Sequence, residues 1–135
     1  MPKFAATDYK ITVAGVNLST SLNSVELALE SDDLETTAFG GDFRTRIGGL
    51  KSGSVTLQFM QDFGAASVDA TLFPLYNTLA TVVIVPTSGT VTSTNPSYTA
   101  TCLVNSYSPF ASSVGDIATF SVTWPTSGTV TRGTV

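Results

Sequence analysis

Val25-Glu26-Leu27-Ala28-Leu29-Glu30 and, further on, Val55-Thr56-Leu57-Gln58-Phe59 are the two stretches that decide the fold class. In the first, Val25, Leu27 and Leu29 share one side while Glu26, Ala28 and Glu30 share the other; in the second, Val55, Leu57 and Phe59 oppose Thr56 and Gln58. A period of two, apolar against polar, belongs to a strand with one dry and one wet face. Working outward, Tyr9, Ile11 and Val13 form an earlier run that ends in a turn or bulge at Gly15-Val16-Asn17. The runs Val82 to Val85, Tyr98 to Val104 and Ile117 to Trp124 repeat the signal later. Ser and Thr supply about 28% of the chain and crowd with Val into these runs, a profile of pleated surface rather than helix. The chain reads as mainly β.

One helix interrupts the strands. Ser67 is a candidate cap, and over about 67–80 the residues Val68, Leu72, Leu75, Tyr76 and Leu79 fall on one helical face. Pro74 lies inside this span, where it removes a donor and clashes with the preceding turn, so the helix is expected to kink there or to begin only a turn earlier. A short echo, Val85-Pro86-Thr87-Ser88-Gly89-Thr90-Val91-Thr92 and Trp124-Pro125-Thr126-Ser127-Gly128-Thr129-Val130-Thr131, reads as turn chemistry reused after two strands.

Size and composition bound the function. For 135 residues and 14.0 kDa, area scaling gives a folded surface of ~6,700 Å² against ~20,000 Å² extended, enough for one core and too little for two. A single domain over 1–135 is expected. Charged residues are 12% of the chain, half the roughly 25% of ordinary soluble domains. There is no His and one Cys, which removes Ser-His-Asp and Cys-His catalysis, imidazole metal sites, an intrachain disulfide and a thiolate zinc site. A net charge of −4 with a pI near 4.4 argues against a protein that grips phosphate backbones through a basic face. No segment has the ~18 apolar residues of a membrane helix and the start lacks a signal-peptide core, so synthesis in a cytosol is expected. Cys102 alternates with Ala100 and Val104 and is expected to be a small buried hydrophobe; Trp124, ending an apolar run, is expected in the core.

The charge is concentrated. Glu30, Asp32, Asp33, Glu35 and Asp42 with Arg44, Arg46 and Lys51 make half of all the charge, whereas from Ala70 to Thr131 there is only Asp116. From Ser31 to Gly53 the periodicity fails, glycines accumulate at Gly40, Gly41, Gly48, Gly49 and Gly53, and Phe39, Phe43 and Ile47 recur every four positions. A structureless stretch beyond ~15 residues in a compact domain is functional or disordered, and its aromatic anchors argue against disorder. A solvated loop with incidental charges would share this composition; a loop arm over about 31–53 that docks on a neighbouring subunit accounts for the anchors as well. Acidic first and basic second, the arm could also pair with a copy of itself. Asp32, Asp33 and Glu35 lack the spacing of a calcium loop and face no second carboxylate cluster, and the paired glycines match no phosphate-binding loop. No cofactor and no catalytic residue is expected.

Several blocks together resemble one family. They are Ser24-Val25-Glu26-Leu27, Asp32-Asp33-Leu34-Glu35-Thr36-Thr37-Ala38-Phe39-Gly40-Gly41, Arg44-Thr45-Arg46-Ile47-Gly48-Gly49-Leu50-Lys51-Ser52-Gly53 and Gln61-Asp62-Phe63. Ser67-Val68-Asp69-Ala70-Thr71-Leu72-Phe73-Pro74-Leu75, Thr94-Asn95-Pro96-Ser97-Tyr98 and Val114-Gly115-Asp116-Ile117-Ala118-Thr119-Phe120-Ser121-Val122-Thr123-Trp124-Pro125 follow. In order and spacing they resemble the major tail tube proteins of siphophages, particularly those infecting actinobacteria and their relatives. The resemblance implies a β-sandwich or partial barrel with one flanking helix. It implies subunits joined in hexameric rings around a continuous inner β-barrel, stacked on a tape measure protein into a tube through which the genome passes without being bound. Other implied partners are the tail tip and tail terminator proteins; the implied location is the virion, after synthesis in the host bacterial cytoplasm, with no membrane insertion.

In that setting Asp32, Asp33, Glu35, Phe39, Phe43, Arg44, Arg46, Ile47 and Lys51 would form the contact arm between subunits and rings. Glu26, Glu30, Thr56 and Gln58 are candidates for the channel wall, if their strands pair as neighbours, because carboxylates and hydroxyls keep a polyanion off the surface. With the tail ending Arg132-Gly133-Thr134-Val135, the immunoglobulin-like domain that some relatives append is not expected. The competing readings are a tail terminator or other ring-forming tail protein, and a stand-alone β-sandwich binding or decoration module.

Overall fold

The computed structural model describes residues 3–134. Among the described residues eight strands, all paired antiparallel, form two sheets. The first sheet has the order β2-β1-β5-β6-β8, built from β1 (Lys10–Val13), β2 (Val16–Asn17), β5 (Leu79–Val85), β6 (Ser97–Leu103) and β8 (Thr131–Gly133). The second has the order β3-β4-β7, from β3 (Leu22–Glu35), β4 (Arg46–Met60) and β7 (Thr119–Pro125). The helix α1 (Val68–Leu75) connects the sheets on the flank. This is the expected mainly β sandwich.

The alternating runs supply the core. Val55, Leu57 and Phe59 on β4 and Phe120, Val122 and Trp124 on β7 face Ile11, Val13, Val82, Ala100 and Cys102 of the first sheet, and Val68 and Leu72 of α1 seal one end. Phe59 stacks on Phe120 at 5.2 Å between ring centroids, with Tyr107 edge-on to Phe120 at 5.3 Å. The Trp124 indole N–H donates to the Ser106 carbonyl at 3.0 Å, so the largest buried side chain leaves no polar atom orphaned. One side of the sandwich is stitched shut by chain 126–127: the Thr126 amide donates to the Gly53 carbonyl (2.9 Å) and that of Ser127 to the Thr101 carbonyl (2.7 Å).

Several boundaries differ from the sequence reading. Val16 and Asn17 are strand rather than turn; the reversal falls on Ala14 and Gly15, both at positive φ (51° and 85°), the geometry of a two-residue hairpin turn. The helix expected over 67–80 stops at Leu75. Pro74 sits in its last turn, and Asn77, at φ 67°, donates its amide to Val104 across to β6's end, which commits Leu79 to strand β5. Ser67 occupies the cap position without a side-chain cap bond.

The largest correction concerns the arm. Residues 31–53 are not a loop: β3 continues to Glu35, β4 begins at Arg46, and only 36–45 form the connection. The Thr36 amide donates to the Thr45 carbonyl at 2.7 Å and the Thr45 amide to Thr37 Oγ1 at 3.0 Å, closing the hairpin. The echoed Pro-Thr-Ser-Gly segments form different turns: the first is organised by Asn95, whose side chain accepts from the Thr87 amide and donates to the Thr90 carbonyl, while the second carries the stitch at 126–127.

Trp124→Ala removes a fully buried indole from between the sheets and orphans the Ser106 carbonyl. We expect a loss of about 3–5 kcal/mol in unfolding free energy, measured by urea denaturation, against less than about 1 kcal/mol for Ile117→Ala on the exposed approach to β7.

Candidate assembly surfaces

The hairpin outgrows its sheet. β7 pairs with β4 only from Ser54 to Met60, so from Leu29↔Gly53 to Glu35↔Arg46 the arm is a bare two-stranded ribbon reaching about 20 Å past the third strand. Between Ser31↔Lys51 and Asp33↔Gly48, β3 advances two residues while β4 advances three, a bulge that places Gly49 and Leu50 opposite Asp32. A Cβ at Gly49 would lie 2.9 Å from that of Asp32 and 3.2 Å from the Leu34 side chain; glycine is required here by close approach, not by a turn. Gly40, at φ 99°, is the glycine that turns the chain at the tip.

The ribbon exchanges the polarity of the sheet's faces. The side of β3 that carries Val25 and Leu27 over the core continues outward as Asp33 and Glu35, and the side that carries Glu26 and Glu30 continues as Asp32 and Leu34, with Ile47 opposite Leu34. Asp33 accepts from Arg46 at 2.6 Å and Glu35 from Arg44 at 3.2 Å, so the acidic and basic halves pair within one hairpin rather than being left for a copy. Both pairs are exposed, and such pairs contribute about 0–1 kcal/mol. Lys51 sits at the ribbon's base opposite Ser31. Phe39 and Phe43 project from the connection with relative exposures of 109% and 87%, touching no core.

The second surface is the outward face of β3-β4-β7. Glu26 pairs with Thr56, Ser24 with Gln58 and Glu30 with Ser52, and Thr56 Oγ1 lies 3.2 Å from Thr123 Oγ1. The four channel candidates therefore share one face, joined by Ser54, Ser121 and Thr123, which the sequence reading did not single out. The alternation of Phe120, Val122 and Trp124 with Ser121 and Thr123 was the signal that could have found them. No Lys or Arg lies on this face between Ser24 and Ser52 pairing rows, or on β7.

The two sheets differ at their edges. β2 and β8 are two and three residues long, whereas β3 and β7, 14 and 7 residues long, have no strand on their outer edges among the described residues. Short edges resist further pairing and long bare ones invite it. At the end of β4 away from the arm, Phe63 stacks on Phe110 at 5.6 Å, both exposed. This end is rigidified underneath: the Tyr107 hydroxyl donates to Asp69 Oδ1 at 2.6 Å, and Gln61 Nε2 donates to Tyr107 Oη (3.2 Å) and to the Pro109 carbonyl (3.0 Å). Burial, then the Asp69 contact, pushes the Tyr107 hydroxyl up to about 12.

Among the described residues no group of three or more His, Cys, Asp or Glu is placed to hold a metal ion, and no helix is long and apolar enough to cross a membrane. The accessible surface is 8750 Å², ~2,000 Å² above the ~6,700 Å² of a compact protein of this mass.

No protein-family model and no curated protein matches the chain. Solved structures share its fold. A chain from the virion of a native gene transfer agent particle superposes with a TM-score of 0.77 at 12% identity, over 96% of this chain and 98% of that one. A chain from the tail of an empty gene transfer agent particle, computed with helical refinement and C6 symmetry, gives 0.65 at 13% identity, over 82% and 81%.

One buried and one half-buried proton make stability alkali-sensitive. Burial pushes the Cys102 thiol from an ordinary 9.0 up to about 11, and Tyr107 rises from 10.0 to about 12. The native state holds these protons more tightly than the unfolded chain, so their contribution is complete below pH 9 and is lost as pH climbs toward 12. We expect urea midpoints to be level from pH 7 to 8.5 and to fall above it, with Cys102→Ala flattening the first part of the decline; an unchanged profile in that variant would contradict the assignment.

Proposed function

We propose that this chain is the tube-forming subunit of a phage-like tail: copies join edge to edge into rings of six, and the rings stack into a conduit for DNA. The observation that carries this reading is the three-stranded sheet, which combines long unpaired edges on β3 and β7 with an outward face of hydroxyls, amide and carboxylate. Pairing β3 of one copy with β7 of the next would satisfy both ladders and close a barrel. The first sheet and its helix already cover the apolar face, so the face left for the inside of that barrel is the one bearing Glu26, Glu30, Thr56 and Gln58. Repeated around a ring, the two carboxylates make stacked acidic belts that repel a polyanion, and the lack of cations there gives phosphates nothing to stick to.

The fold shared with chains of a gene transfer agent virion and tail supports a structural role in a tail, and the C6 symmetry of the second supports rings of six. The arm, with Phe39, Phe43 and Ile47 exposed on a ribbon that is marginal by itself, is read as the contact between rings and neighbours. Tape measure, tail tip and terminator proteins are the partners this role requires, and the virion is its location.

Purified protein examined by negative-stain microscopy should form rings and tubes; single rings that never stack would favour a terminator instead, and a permanent monomer a stand-alone module. Replacing Thr36 to Thr45 with a two-residue turn should leave the circular dichroism of a folded β protein while abolishing tubes; tubes of normal length from that variant would remove the arm's role. Glu26→Lys with Glu30→Lys in assembled particles should still give tubes but slow DNA ejection on the order of tenfold at low salt, with recovery as salt screens the wall. Unchanged ejection would put this face outside the channel.

A further inference from the structure

The arm and the Phe63–Phe110 stack lie at opposite ends of one strand. β4 runs 15 residues from Arg46, where the hairpin leaves its connection, to Met60, just before Phe63, a span of about 45–50 Å. Both ends expose aromatic side chains that their own subunit does not cover: Phe39 and Phe43 at one, Phe63 and Phe110 at the other. A translation along the strand direction brings one end of a copy against the other end of the next, and repeating it makes an open stack.

We propose that the receptor for the arm is this distal aromatic patch on the adjacent copy, with Phe39 and Phe43 packing on the Phe63–Phe110 stack; this rests on the tube-forming reading and names its axial contact. The occupant is a second copy of this chain. Size supports it: Ser31 to Lys51 is almost wholly exposed, about the 20–30 residues that one side of a stable interface uses, and the surface of 8750 Å² exceeds the compact expectation by ~2,000 Å², more than the ~800 Å² that each partner brings to a standard interface. Charge is compatible. Asp62, Asp69 and Asp116 are the formal charges of the distal end, with no Lys or Arg between Lys51 and Arg132, and Arg44 beside the tip is held only by an exposed pair that it can exchange. The distal patch is also the firmer partner, since Gln61, Tyr107 and Asp69 fix the segments that carry its two rings.

The chain is suited to a cross-linking test because its one thiol, Cys102, is buried. Phe43→Cys and Phe110→Cys are placed together in one chain, assembled, and treated with a short bismaleimide. The expected result is a ladder of covalent multimers on a denaturing gel; a mixture of the two single variants should give dimers and no higher species, and neither single variant alone should link. Independently, Phe63→Ser with Phe110→Ser should leave rings intact and raise the concentration needed for tubes roughly tenfold. Three results would overturn the proposal while leaving the tube reading in place. These are normal tubes without the ladder, dimers from Phe43→Cys alone, and linkage of Phe43→Cys to Leu27→Cys, in the groove that Val25, Leu27 and Leu29 of β3 form with Ile84, Pro86 and Tyr98. A wild-type chain that never assembles would remove the tube reading and this contact together.

Discussion

Everything in this molecule depends on the contact between the dry side of a three-stranded sheet and a five-stranded one. Three strands are the least that give a sheet independent stability, and only with a hydrophobic face to bury. Here Leu57, Phe59, Val55 and Trp124 meet Val13, Val82, Ala100 and Cys102, and the indole's bond to Ser106 anchors the segment that carries Tyr107 and Phe110. β4 is the one strand of its sheet with neighbours on both sides, and the flanking β3 and β7 each spend one edge on it. The fold thus closes its core between the sheets while the outer edges of β3 and β7 keep backbone groups free to pair, the feature on which the proposed assembly rests.

The distribution of charge follows from the same division. A chain with so few charges cannot rely on general surface repulsion for solubility. It places half of them on the hairpin, where Asp33–Arg46 and Glu35–Arg44 neutralise one another side by side, and leaves the broad sheet surfaces to Ser and Thr. Hydroxyls satisfy their own hydrogen bonds with water or with one another, as Thr56 and Thr123 do, so they keep a face wet without giving it a strong electrostatic handle.

What the sequence made legible was whatever a half-buried strand imposes locally. Val55 to Phe59 and Phe120 to Trp124 announce themselves because one face must be dry, and the sharing of a face by Glu26, Thr56 and Gln58 follows once the partners are known. The arm's strands were illegible for the opposite reason. Both faces of the ribbon meet solvent, no alternation is demanded, and the bulge at Gly49 and Leu50 breaks what periodicity is left, so glycines that mark close approach read as turns. The helix was overextended because Leu79 fits either periodicity; the bond from Asn77 to Val104, distant in sequence, decides it. The distal aromatic patch was invisible, since nothing in a linear chain announces that Phe63 and Phe110 will stack.

The extra residue in β4 separates two properties of the arm that would otherwise be bound together. A bulge bends and twists its ribbon without altering the pairs beyond it: Leu34 still faces Ile47, and Glu35 still faces Arg46. Removing one residue from 48–50 would leave the same side chains at the tip and point them along a straighter line. Grip is then encoded by the residues of the tip and aim by the length of the strand beneath it. If copies stack as proposed, aim would be the angular offset from one layer to the next, and a single insertion or deletion in the strand would change the pitch of such a stack while leaving the chemistry of the tip the same.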